Sequence, residues 1–162
     1  MSLLRSLLRR QDGQALPEFA LVLPVLVLVL FAILDFGKAF NYWNDATHIA
    51  AEGARYAAVN GKPYPGSPGS LQAQLLAEGD TSELRSGGTE SLDSAPQVCV
   101  SFPSPSDPTA TNPTPHRGDP VRVTMTFEYS WLPVLDLGST SITSSAVMRL
   151  ETTPTTYTAG CT

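Results

Sequence analysis

The chain has 162 residues and a net charge of −5. That length leaves room for one small domain beside any membrane segment, and a second domain is not expected. The acidic balance disfavours sequence-independent nucleic-acid binding, which depends on neutralising phosphates.

Residues 1–13 form a short basic leader with Arg5, Arg9 and Arg10, and its Leu3, Leu4, Leu7 and Leu8 can share one helical face. Phe19 to Leu34 is a run of sixteen uncharged residues, thirteen of them Leu, Val, Ile or Phe. Counted back to Ala15, it has about the length needed to span hydrocarbon. Its large apolar residues favour insertion by about 4–8 kcal/mol, against at most about 3.5 kcal/mol for the one carboxylate, Glu18. Arginines precede the run and Asp35 follows it, so the positive-inside rule keeps the N-terminus cytoplasmic and exports the C-terminal part. A cleaved secretory signal fits less well, because the run is long and no clear small-x-small site follows it. A plain signal anchor is the simpler alternative.

Pro17 would break an uncut helix by removing a bond to the Gly13 carbonyl, and Pro24 predicts a kink deeper in the run. From Asp35 the pattern stays helical but becomes amphipathic, with Phe36, Phe40, Tyr42 and Trp43 leading into Ala46, Ala50, Ala54 and Ala58 at four-residue spacing. The small stripe, which includes Gly53, suits close packing either within the chain or against another subunit. Asn60-Gly61 stops the helix, and Pro63, Pro65 and Pro68 keep it stopped. Ser70 can cap a short helix over Leu71–Ala77 that ends at Gly79, and a polar loop follows.

Strand alternation begins at Val98, Val100 and Phe102. A Pro/Thr/Ser-rich exposed loop or linker then spans residues 103–120. Val121 to Trp131 is the clearest strand, with every odd position apolar, and Ile142, Ala146, Met148 and Leu150 predict its partner after a turn at Leu132–Gly138. Thr152–Thr162 is a polar tail carrying Cys161, with little apart from a crosslink to order it. Cys99 and Cys161 lie in the part the charge rule exports, where a disulfide is favoured over two free thiols. The bridge would contribute roughly 4 kcal/mol in the chain-entropy account.

Gly13-Gln14-Ala15-Leu16-Pro17-Glu18-Phe19 resembles the processing site of type IV prepilins, in which a prepilin peptidase cuts after the glycine and leaves glutamate as the fifth mature residue. With Asp35-Phe36-Gly37-Lys38-Ala39 and Ala51-Glu52-Gly53-Ala54-Arg55-Tyr56-Ala57, the wider stretch of roughly residues 9–60 is similar to the TadE-like pseudopilins of tight-adherence systems. The short exported part favours this over TadG-like relatives.

The resemblance implies a type IV pilin-like α+β fold: a leader (1–13), a transmembrane part of one long helix (14–34), its exported amphipathic part (35–60) and a small antiparallel β-sheet domain (61–162). It implies a minor pilin or pseudopilin acting in assembly of an Flp-type adhesion pilus. The expected place is the inner membrane, crossed once, with surface exposure after assembly. Gly13, Gln14, Glu18 and Phe19 would form the processing site and Glu18 an assembly contact. Partners would be the bilayer, the peptidase, other pilins and the secretion platform.

The residues themselves offer no catalytic constellation, cofactor motif or metal spacing. His48 lies in the long helix and His116 in the proline-rich loop, and Ser86-Gly87-Gly88 suits a turn better than a phosphate cradle. An enzyme is therefore not expected. The rival reading is a single-pass anchored, exported binding domain that does not polymerise.

Overall fold

In a computed structural model the structure describes residues 15–60, 70–79, 96–131 and 138–162. The leader, the proline cluster at 63–68, the polar loop with Gly87 and Gly88, and most of the expected turn at 132–138 lie outside the described residues. Helix α1 (Ala15–Ala58) is followed by α2 (Leu71–Gly79) and strands β1 (Gln97–Ser101), β2 (Pro120–Ser130), β3 (Ser139–Arg149) and β4 (Gly160–Cys161). The fold is α+β: a long N-terminal helix that begins with an apolar half, then a small antiparallel sheet. The chain divides between Gly37 and Lys38 into two compact units, so residues 38–58 of α1 belong to the same unit as the sheet.

The sheet has the order β3-β2-β1-β4, with every neighbouring pair antiparallel. β2 supplies its buried face because side chains alternate across a strand. Val121, Val123, Met125, Phe127 and Tyr129 are all buried, while their even-numbered neighbours are more exposed. β2 and β3 pair without interruption from Pro120↔Arg149 to Ser130↔Ser139. At the turn end, the Trp131 amide donates to the carbonyl of Gly138, whose φ of 94° lies where a side chain would be strained.

Helix α1 covers that face with Ala39, Tyr42, Ala46, Ala50, Ala54, Ala57 and Ala58, a stripe at helical spacing. The small-residue stripe is thus core packing within the chain. Alanine lets the helix approach closely, and at Gly53 even a Cβ would lie 2.5 Å from Leu75 Cδ1 and 3.2 Å from Val123 Cγ1. Tyr42 is the large residue in the stripe, with its ring edge-on to Phe127 at 6.3 Å and tilted against Tyr129 at 5.7 Å.

Helix α2 starts as its cap predicts, with the Ala73 amide donating to Ser70 Oγ at 3.3 Å. Leu71 and Leu75 are buried as expected, but so are Gln72 and Gln74. The reason for Gln72 is distant in sequence: its side-chain amide donates to the Thr158 carbonyl at 2.7 Å.

β3 differs in detail from its sequence pattern. Ser144 is its buried residue, sharing a 3.0 Å hydrogen bond with Thr47 Oγ1, whereas Met148 is exposed. β3 is an edge strand, so its far end has a sheet neighbour on one side only.

The C-terminal tail is ordered by more than a crosslink. The Glu151 amide donates to the Ala58 carbonyl at 2.8 Å, and the Tyr157 hydroxyl donates to the Ala57 carbonyl at 2.6 Å. The Thr155 and Thr156 amides donate to Asn60 Oδ1 at 2.9 and 3.1 Å. Carbonyls at a helix C-terminus have no intrahelical partner, and here the tail supplies partners. Asn60, at φ 53°, takes the left-handed position that ends the helix. Tyr157 is buried and stacks on Phe102 at 6.0 Å, and burial pushes its hydroxyl up to about 12. Reciprocal backbone bonds between Val98 and Thr162 then fix β4 against β1.

Of the loop and linker readings for residues 103–120, the structure shows a mostly exposed loop folded on itself, with Pro103 buried at its start and Pro120 already in β2. Asp107 Oδ1 accepts from the Thr109 hydroxyl at 2.7 Å and the Thr109 amide at 2.9 Å, which together hold its carboxyl below the usual range. Asp119 Oδ2 likewise accepts from the Asn112 side chain and the His116 amide, each at 2.8 Å.

Candidate functional site

The first half of α1 has no core to serve. From Leu16 to Leu34 every described residue is exposed except half-buried Val27, and the large side chains among them are Leu, Val, Ile and Phe. Nineteen residues of helix rise about 29 Å at 1.5 Å each, close to the thickness of bilayer hydrocarbon. Apolar surface on that scale marks a membrane or partner contact. A helix closes its own backbone hydrogen bonds, so it tolerates either surrounding. The helix is compatible with a single-pass membrane anchor.

Glu18 is the acidic residue of this helix's first turn. Unpaired amide N–H groups at a helix N-terminus favour a carboxylate there. Glu18 has no ion-pair or hydrogen-bond partner among the described residues, and its neighbours one turn on, Leu21 and Val22, are exposed and apolar. Phe19 follows Glu18 and is also exposed. Gly13 and Gln14 lie outside the described residues. Pro17 is the third residue of α1, where its missing N–H breaks no intrahelical bond, and the helix continues through Pro24.

The other candidate residues fall elsewhere. Cys99 and Cys161 are joined in a disulfide between paired positions of β1 and β4. His48 is exposed, with Nδ1 3.9 Å from Glu52 Oε2 one turn further along α1. His116 is exposed in the loop before β2. Among the described residues no three His, Cys, Asp or Glu side chains cluster to hold a metal.

Sequence reasoning missed the residues that close the end of α1, above all Tyr157 and Gln72. A lone tyrosine in a polar tail was the available signal for the first, and nothing local marks the second.

Residues 13–55 match the family model described as TadE-like protein. That range includes Gly13, Gln14, Glu18 and Phe19, the apolar half of α1 and most of its alanine stripe. Comparison with curated proteins and with solved structures gives no match.

Proposed function

We propose that this chain, TadE-like over residues 13–55, is a minor pilin or pseudopilin that serves assembly of an Flp-type adhesion pilus. The observation that carries the reading is a lone carboxylate in the first turn of α1, whose first half, residues 16–34, is otherwise uncharged and almost wholly exposed. The N-terminus lies in the cytoplasm, the apolar half of α1 crosses the inner membrane and the sheet unit is exported. A prepilin peptidase cuts after Gly13. The other partners are pilins, pseudopilins and the tight-adherence secretion platform. The chain is a substrate and a structural component: it carries out no catalysis of its own and binds neither cofactor nor nucleic acid.

Cleavage creates a charged amine on Gln14, and in an assembly the Glu18 carboxylate of one subunit pairs with the amine of its neighbour. In hydrocarbon an unpaired carboxylate is costly, so burial rewards the register in which the pair forms. Removing one partner of a desolvated pair typically costs about 3–5 kcal/mol, whereas the same change in an isolated anchor eases insertion.

Two measurements test the reading. Mass spectrometry of the mature protein should place its N-terminus at Gln14, and an intact leader would sink the processing step. Glu18→Ala should insert and be cut normally yet lose crosslinking to partner pilins. If crosslinking and surface attachment both survive, a permanently anchored binding domain is the better account.

A further inference from the structure

The exposed large apolar side chains of α1 do not stop at Leu34. Phe36, Phe40 and Trp43 continue the series, and the next along the chain is Val59, just past the end of the helix. Between them the outward residues include Asn44, His48 and Arg55. Phe40 and Trp43 lie together, their ring centroids 5.7 Å apart.

Neither ring serves the core. Tyr42 takes the inward position, against Phe127 and Tyr129. The backbone of Trp43 is held from the sheet side, its carbonyl accepting from the Thr47 hydroxyl at 2.8 Å and from the Ser144 hydroxyl at 3.5 Å. The indole is left 45% exposed, and its N–H has no partner among the described residues. An apolar ring with one polar tip is most stable where apolar and wet surroundings meet. Tryptophan is enriched at membrane–water interfaces for that reason.

The surroundings fit lipid. Leu34 ends the apolar run, and Lys38, Phe40 and Trp43 follow it within nine residues, where the sequence passes from hydrocarbon-compatible to mixed polar and aromatic. Lys38 is exposed and brings an ammonium that lipid phosphates complement, its methylene stem able to lie along the apolar boundary.

We infer that Phe40 and Trp43, with Lys38, form an interfacial anchor seated in the headgroup–acyl boundary of a lipid bilayer, and that it marks where the chain leaves the hydrocarbon. The inference rests on the single-pass reading proposed above.

Tryptophan fluorescence of the full chain in phosphatidylcholine vesicles tests this. Trp131→Phe leaves Trp43 as the sole reporter, and subtracting the spectrum of Trp43→Phe from that of the unaltered chain isolates the same signal without touching Trp131. Trp43 emission should shift to the blue on reconstitution and lose more intensity to bromines placed near the glycerol than to bromines at the acyl chain ends. Water-like emission, quenched by iodide and insensitive to brominated lipid, would overturn the anchor while leaving the span intact. A blue shift that grows with protein-to-lipid ratio would overturn it in favour of a partner helix. Failure of the chain to float with vesicles would overturn both the anchor and the span.

Discussion

In α1, residues 16–34 expose leucine, valine and phenylalanine around the helix. Residues 39–58 instead bury alanine and tyrosine along one stripe and leave Asn41, Asn44, His48 and Arg55 outside. Both halves satisfy the backbone in the same way, so hydrogen bonding does not distinguish them. The difference lies in where apolar area goes: the second half hides it against a sheet, and the first half has nothing within its own unit to hide it against. The second half spends its spacing on small side chains, because close approach to β2 is worth more there than bulk. The first half spends it on large ones, the composition that summed side-chain hydrophobicity would require of a helix held in hydrocarbon.

One substitution made twice should separate the halves most widely. Ala50→Asp puts a carboxylate into the core and should destabilise the sheet unit by about 3–5 kcal/mol, the typical cost of an uncompensated buried charge. Leu26→Asp should cost about 2.5–3.5 kcal/mol of membrane insertion and leave the thermal midpoint of the sheet unit unchanged. Calorimetry and vesicle flotation on both variants read the two effects, and an equal fall in midpoint would erase the distinction.

A smaller effect tests the close approach alone. Gly53→Val adds side-chain atoms where Leu75 and Val123 already stand, and overpacking of this kind typically costs about 1–3 kcal/mol. Denaturant midpoints would measure it, and unchanged stability would mean that α2 is free to move aside.

The smallest effect concerns the end of α1. Tyr157→Phe keeps the ring on Phe102 but deletes the hydrogen bond to Ala57, for an expected loss of about 0.5–1.5 kcal/mol. Burial raises the tyrosine from 10.0 to about 12, so the folded state holds this proton more tightly than the unfolded state does. Its contribution is complete below pH 10 and is lost as pH rises from about 10 to about 12. Stability measured across that window should fall less steeply for Tyr157→Phe. Identical slopes would assign the alkaline loss to other groups.

Much of this was legible locally. β2 could be read because a strand buried on one face shows its period in any short window, and five apolar odd positions leave no second register. The cap at Ser70 and the stop at Asn60 were equally local, since each is a residue type suited to one backbone geometry. Met148 misled because alternation gives a face but not how far the cover extends along an edge strand. Glu18 was legible as a carboxylate in an apolar helix, and the structure adds that it stands in the first turn without a partner among the described residues.

By itself the sequence determined the long helix, the change along it from all-apolar to striped, the main strands and the cysteine pair as a candidate bridge. Each follows from spacing within a few residues, where helical and strand periods act directly on the chain. Only the tertiary structure decided that the alanine stripe meets the chain's own sheet, that Gln72 is buried, and that the tail closes the end of α1 through Tyr157 and Asn60. Those contacts join residues from about seventy to a hundred positions apart. The stripe shows which face is apolar but not what it meets, and the contacts of Gln72, Tyr157 and Asn60 need a carbonyl or amide partner that is in place only once both elements are folded, so no local pattern records them.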